Sequence, residues 1–201
     1  LEAMKACFQG SKRVYFHADG VQQLLDIIEF VEKFGLKYPV IVGGYEAHLL
    51  GKRLKDAKIP VMLNRVHSLP EREEDDVNLP YSLPSLLQKQ GILFCIQNAG
   101  DMEAMNTRNL PFQAGTAMAY GLTEEEALQA ISLNPCKIMG ISDQFGSLEA
   151  GKSATLFISK GPALDMKSNQ VTCLVFHGQI ESPENFQYKL YQKYKRKYQG
   201  K

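Results

Sequence analysis

A strand-sized apolar run, a glycine break and a stretch of helical period follow one another twice within the first sixty residues, and this cycle constrains the fold more than any other feature. Lys12 to His17 is a β-branched and aromatic run, Gly20 punctuates it, and Val21, Leu24, Leu25, Ile28 and Val31 then recur at helical spacing. The cycle returns with Tyr38 to Val42, the pair Gly43-Gly44, and a segment from Ala47 to Ala57 that carries Leu49, Leu50 and Leu54 at helical spacing. Ile59 to Leu63 is again strand-like. Parallel neighbours cannot be joined by a tight turn, so this order implies parallel strands with crossover helices and an α/β fold.

Further along, the stretch from Asn64 to Pro84 holds three prolines and the polar run Glu71 to Asp76, and reads as a long loop before a short helix from Leu83 to Lys89. Gly91 to Gln97 is a further apolar strand that ends in the polar segment Asn98 to Asn109. Thr123 is a suitable N-cap with Glu126 at the capping-box position, which predicts a helix over Glu124 to Leu133. Beyond Ile141 the pattern changes to short β runs, at Gly146 to Leu148, Ala154 to Ser159 and Val171 to Phe176. The tail from Asn185 to Lys201 is helix-compatible, with Phe186, Leu190 and Tyr194 as an aromatic and aliphatic stripe expected to pack.

Charge narrows the partners. With 23 basic and 22 acidic residues the net charge is +1, which gives no global field toward nucleic acid or an anionic membrane. The longest apolar runs, such as Ile92 to Ile96, fall far short of the ~20 residues that cross a bilayer. Leu1 to Arg13 carries no secretory pattern, so the compartment stays open. Cys7, Cys95, Cys136 and Cys173 form no C-x-x-C pair and read as buried free thiols.

The segment Gly121-Leu-Thr-Glu-Glu-Glu-Ala-Leu-Gln-Ala-Ile-Ser-Leu-Asn-Pro135, followed by Ile138-Met-Gly-Ile141 and Phe145-Gly-Ser-Leu-Glu-Ala-Gly-Lys-Ser-Ala-Thr-Leu156, resembles the signature that closes the barrel of amidohydrolases of the imidazolonepropionase-like kind. Asn134-Pro135 is expected to break the helix there, and Ser153 and Thr155 stand where family members commonly carry aspartates. His17 to Leu36 and Ile41-Val-Gly-Gly-Tyr-Glu-Ala-His48 are similar to segments around the fifth and sixth barrel strands. The resemblance implies the C-terminal half of a (β/α)8 TIM-type barrel over residues 1–141, an appended β-sandwich portion over 142–184 and a helical tail over 185–201. It also implies that the chain is a fragment, because the His-x-His pair of the first barrel strand is absent.

Such enzymes hold a divalent metal, usually zinc, at the C-terminal ends of the barrel strands, and the metal turns a bound water into hydroxide near neutral pH. His17 stands at the fifth-strand ligand position and is the metal candidate. Gly43 stands where the sixth strand carries a histidine, and His48, a turn further on, reads as a helix-face residue. Ala99 follows Cys95-Ile-Gln-Asn98 where the eighth strand would place its proton-shuttling aspartate; Asp101 is the catalytic candidate if its loop bulges inward, and otherwise faces solvent. His67 either lines the substrate pocket or is plain loop, and Glu71 to Asp76 reads as a hydrated loop.

Two functions follow from the resemblance. One is hydrolysis of an amide or cyclic amide by metal-activated water, including a variant that uses upstream histidines, His17 and a carboxylate from elsewhere. The other is a catalytically degenerate member that acts as a binding or scaffold protein, favoured by Gly43 and Ala99. Expected partners are a small-molecule amide, the upstream part of the same polypeptide and a second copy of the chain.

Overall fold

The computed structural model describes residues 2–98 and 103–199. After a short helix α1 (Lys5–Phe8), the strands β1 (Val14–Ala18), β2 (Pro39–Gly43), β3 (Val61–Leu63) and β4 (Phe94–Ile96) form one parallel sheet in chain order. The crossovers are helical: α2 (Val21–Phe34), then a 3-10 turn at Ala47–Leu50 running into α3 (Gly51–Asp56), then α4 (Leu79–Gln90). The expected α/β architecture and its parallel strands are therefore present. Leu24, Ile28 and Val31 of α2 are buried against Ile41, Val61, Leu63, Phe94 and Ile96 of the sheet. Fully burying each such side chain stabilises the fold by about 1.5–3 kcal/mol.

Helix α4 starts four residues before the expected position. Pro80 occupies its first turn, where an N–H has no helical partner to lose. Pro84 lies inside the helix, but its ring is fully buried together with Leu83 and Leu87, and that packing offsets the missing hydrogen bond. A helix not foreseen, α5 (Leu110–Ala119), follows a 3-10 segment at Glu103–Asn109. The capped helix is shorter than expected: α6 (Glu124–Ile131) stops at Ser132, whose φ of −126° and ψ of −76° break the spiral. Asn134-Pro135 does not end that helix; it lies in the first turn of α7 (Leu133–Met139), where proline is tolerated.

The later β segments form an antiparallel sheet of β5 (Leu156–Ser159), β6 (Val171–Phe176) and β7 (Gln179–Glu181). The expected run at Gly146 to Leu148 is a bend followed by irregular chain rather than strand. β6 and β7 are joined through His177 and Gly178, both at positive φ (49° and 81°), the geometry that favours a two-residue hairpin. The tail is helical, α8 (Phe186–Gln199), but its stripe is not packed: Phe186 and Tyr194 are exposed and none of its described residues is buried. Among the described residues no helix is long and apolar enough to cross a membrane. All four cysteines are free, with Cys95 buried and the other three half-buried.

Candidate functional site

Parallel strands bring all their C-terminal ends to one side, so the segments leaving β1 to β4 gather there. In the ladder His17 stands opposite Val42, Val42 opposite Met62, and Met62 opposite Cys95. Residues in register in a parallel sheet share a face, so this row offers one imidazole, two apolar side chains and a thiol. Burial pushes the Cys95 thiol up to about 12, which keeps it protonated and a poor metal donor. His17 is exposed, on the same face as Tyr15, and opposite in direction to Phe16, whose ring packs against Phe30 of α2.

Gly43 lies opposite Ala18, so position 43 belongs to the other face from His17. Its φ is +105°, and a Cβ built there would stand 2.5 Å from Asp19 Oδ1 and 3.0 Å from the Ala18 carbonyl oxygen. The carboxylate is held in that space: Asp19 Oδ1 accepts from the Tyr45 N–H at 3.2 Å, and the Glu46 N–H donates to the Asp19 carbonyl at 3.0 Å. The place where the resemblance puts a histidine ligand thus has room for no side chain, and the residues here do not fit a metal centre that uses position 43. Among the described residues no three His, Cys, Asp or Glu side chains converge on one point.

The segment after β2 organises the rest of this end. Glu46, 6% exposed, accepts from the Val21 N–H at 2.6 Å, so a carboxylate sits at the N-terminus of α2, where the helix dipole favours it. Its other oxygen pairs with Arg72. The Tyr45 hydroxyl donates to Asp75 Oδ2 at 2.7 Å and accepts from the Glu71 N–H at 3.2 Å; burial, then the bond to Asp75, push that phenol up to about 12. The acidic run is exposed, as expected of a hydrated loop, except at half-buried Asp75, and it is tied to Tyr45 by these two bonds. Desolvation, followed by the charges of Asp19, Glu46 and Asp75, raises the Glu71 carboxyl above its ordinary range.

His67 leaves β3 and reaches α5, its Nε2 lying 2.7 Å from Thr116 Oγ1. The Thr116 hydroxyl also lies 3.1 Å from the Phe112 carbonyl, so its single proton serves either that oxygen or His67 Nε2, according to the ring's tautomer. Partial desolvation lowers the His67 pKa, which favours the neutral ring at pH 7. The ring borders a cleft of about 700 Å³ shared with Phe112, Thr116, Tyr120, Leu164 and Met166. Buried Gln113 ties the neighbouring loops, accepting from the Val66 N–H and donating to Asn98 Oδ1, both at 2.9 Å. His48 is bonded within its own turn, Nδ1 to the Tyr45 carbonyl at 3.2 Å. Ala99 and Asp101 lie outside the described residues. Asp19, Tyr45, Glu46, Gln113 and Thr116 were not singled out from the sequence; the only local signal was Asp19 next to a glycine at a strand end.

Residues 1–180 match the profile of the Amidohydrolase family. An imidazolonepropionase from Flavobacterium johnsoniae is 29% identical over 85 residues, 42% of this chain and 21% of that protein. The crystal structure of an amidohydrolase from Thermotoga maritima is 31% identical with a TM-score of 0.79, covering 89% of this chain and 45% of the other. An adenosine deaminase from Xanthomonas campestris, solved with bound zinc, is similar in fold at 18% identity and a TM-score of 0.59, covering 96% of this chain and 52% of the other. The chain spans about half the length of these solved structures, and its matched 85 residues span a fifth of the imidazolonepropionase. The family profile runs from the first residue through the three-stranded sheet, and on that match the chain belongs to the amidohydrolase family.

Proposed function

We propose that this chain is part of an enzyme that hydrolyses a carbon–nitrogen bond in an amide or cyclic amide. The observation that carries the proposal is an exposed histidine, His17, at the C-terminal end of a parallel strand in a chain of this family. In this reading the four-stranded sheet is the C-terminal half of a (β/α)8 barrel over residues 1–141, the three-stranded sheet belongs to a sandwich portion over 142–184, and 185–201 is a tail. The other half, with the remaining metal donors, lies in a part of the polypeptide outside residues 1–201; the solved relatives, about twice as long, support this.

A divalent metal such as zinc, when bound, supplies hydroxide by lowering the pKa of its water. His17 is a suitable donor for it, but position 43 is closed to a second one. What the chain's own residues supply is a cleft at the loops after β3, with an apolar wall from Phe112 and Leu164. His67, held through Nε2 by Thr116, stands at the cleft's edge. A small-molecule amide is the substrate class proposed.

A second reading has one specific observation behind it. Asp19 fills the space beside Gly43 and is itself bonded to Tyr45, an arrangement suited to holding a loop rather than a ligand. In that reading the chain is a catalytically degenerate scaffold or binding protein. Elemental analysis for zinc, manganese, nickel and iron on the full-length polypeptide, including the part outside residues 1–201, beside its His17→Ala variant, separates the two. Near-stoichiometric metal that the variant loses supports the hydrolase with His17 as a donor. No metal in either sample after reconstitution sinks the metal-dependent hydrolase and leaves the scaffold.

A further inference from the structure

The N-terminal ends of the same strands border a second cavity, at the opposite end of the sheet from the cleft at His67. Its volume is about 380 Å³, within the range of small-molecule sites. The wall is apolar where β2, β3 and β4 begin, with Val40, Leu54, Ile59, Ile92 and Ile138 on it. Every ionisable charge that lines it is positive: Arg13, Lys37, Lys55, Lys58 and Lys137, with no aspartate or glutamate. In a chain whose charges nearly cancel, five cations around one apolar-walled cavity are a local excess, and low-dielectric walls concentrate their field.

Three of these side chains are fitted to the backbone. Arg13 Nη2 would lie 1.8 Å from a Cβ on Gly140, Lys37 Cδ 2.3 Å from one on Gly10, and Lys55 Nζ 2.9 Å from one on Gly91. Each base thus runs over a glycine whose positive φ, +71° to +73°, itself favours that residue. Helix C-termini attract basic residues, and Arg13 follows that rule, its Nε donating to the Ile138 carbonyl at 2.8 Å while its guanidinium lies 5.2 Å from the Tyr38 ring centroid. Lys55, in the last turn of α3, and Lys137, in the last turn of α7, follow it too, and among the described residues none of the four lysine ammonium groups makes an ion pair with a carboxylate.

We propose that this cavity binds a small organic phosphate, with the dianionic head among Arg13 and the lysines and an apolar body on the Val40, Ile59 and Ile92 wall. A guanidinium with ammonium neighbours suits a phosphate, and the apolar wall requires more of the ligand than the phosphate alone. The site is independent of the chemistry at the other end of the sheet.

Isothermal titration of the full chain with phenyl phosphate, phenol and inorganic phosphate tests it. The expected result is that phenyl phosphate binds more tightly than either half, and that the Lys55→Gln/Lys58→Gln variant, which removes two rim charges, weakens it roughly tenfold. Lys37→Gln alone shifts it in the same direction, and Lys193→Gln, on α8, leaves it unchanged. Thermal melts of the same samples establish that each variant is folded. The proposal is overturned if phenyl phosphate gives no saturable binding, if it binds no better than inorganic phosphate, or if Lys193→Gln weakens it as much as the cavity variants do.

Discussion

At the scale of single residues the C-terminal end of the sheet is decided by Gly43 and the carboxylates around it. Gly43→Ala meets both a positive φ and Asp19 Oδ1 at 2.5 Å, so it is expected to cost about 1–3 kcal/mol in urea denaturation. Part of that cost is the collision, so in a cycle with Asp19→Ala the double variant loses less than the sum of the singles; strict additivity would mean that the carboxylate does not fill the space. Glu71 makes the complementary case. Its folded pKa is raised, by desolvation first and then by Asp19, Glu46 and Asp75, so the folded state binds its proton more tightly than the unfolded chain does. Stability is then greatest below the ordinary glutamate pKa and falls as pH rises through the raised value. Glu71→Gln removes that loss: its melting temperature exceeds that of the parent at pH 7.5 and the gain vanishes near pH 4, and an equal gain at both values would refute the assignment. His17 was legible in the sequence because a strand end and a family-like segment coincide there. Asp19, Tyr45 and Glu46 were not, because their roles come from contacts 25 to 30 residues away, Tyr45 to Asp75 and Val21 to Glu46, which no local pattern encodes.

At the scale of elements, what was legible is what local chemistry determines. The four parallel strands and α2 follow from apolar period, and α6 follows from its capping box: Thr123 Oγ1 accepts from the Glu126 N–H at 3.3 Å while Glu126 Oε2 accepts from the Thr123 N–H at 2.8 Å. The Thr123 N–H and hydroxyl, both donating to Glu126 Oε2, together with a bond from Gln88, hold the Glu126 carboxyl below its ordinary range. Thr123→Ala is therefore expected to cost about 1 kcal/mol, read as a lower urea midpoint with an unchanged slope; no shift would mean that tertiary packing alone holds α6. The elements that escaped the sequence are those where tertiary contacts override local signals. Three prolines suggested a loop up to Pro84, yet the burial of Pro80, Leu83, Pro84 and Leu87 carries α4 through two of them. Helix α5 is rich in small residues with little amphipathic contrast, and its buried Gln113 satisfies backbone and side-chain groups of two other loops. Strand β7 is three residues long and exposed throughout, too short for a period to register.

At the scale of the molecule, one described residue beyond α7 enters the core that backs the parallel sheet. Leu164, in the connection between β5 and β6, is 5% exposed and belongs to the same buried cluster as Ala114 and Ala117 of α5. The approach is close on both sides: a Cβ on Gly115 would stand 2.3 Å from the Leu164 carbonyl oxygen. Leu164→Ala removes the plug and leaves a cavity whose collapse is limited by the rigid helix and sheet around it, so a loss of about 2–5 kcal/mol is expected. The loss should also be uneven in space. Hydrogen exchange is predicted to accelerate in α5 and in β5 and β6, which Leu164 holds together, while β1 to β3, whose core is built from Leu24, Ile28, Ile41 and Val61, keep their protection. Uniform acceleration in all strands would mean that the antiparallel sheet and the parallel sheet unfold as one cooperative unit. Acceleration confined to the β5–β6 connection would mean that Leu164 anchors its own loop and nothing more. Because Leu164 also borders the cleft at His67, the first outcome ties the position of the three-stranded sheet to the shape of that cleft. The same substitution should then widen the cleft even where the parallel sheet is intact.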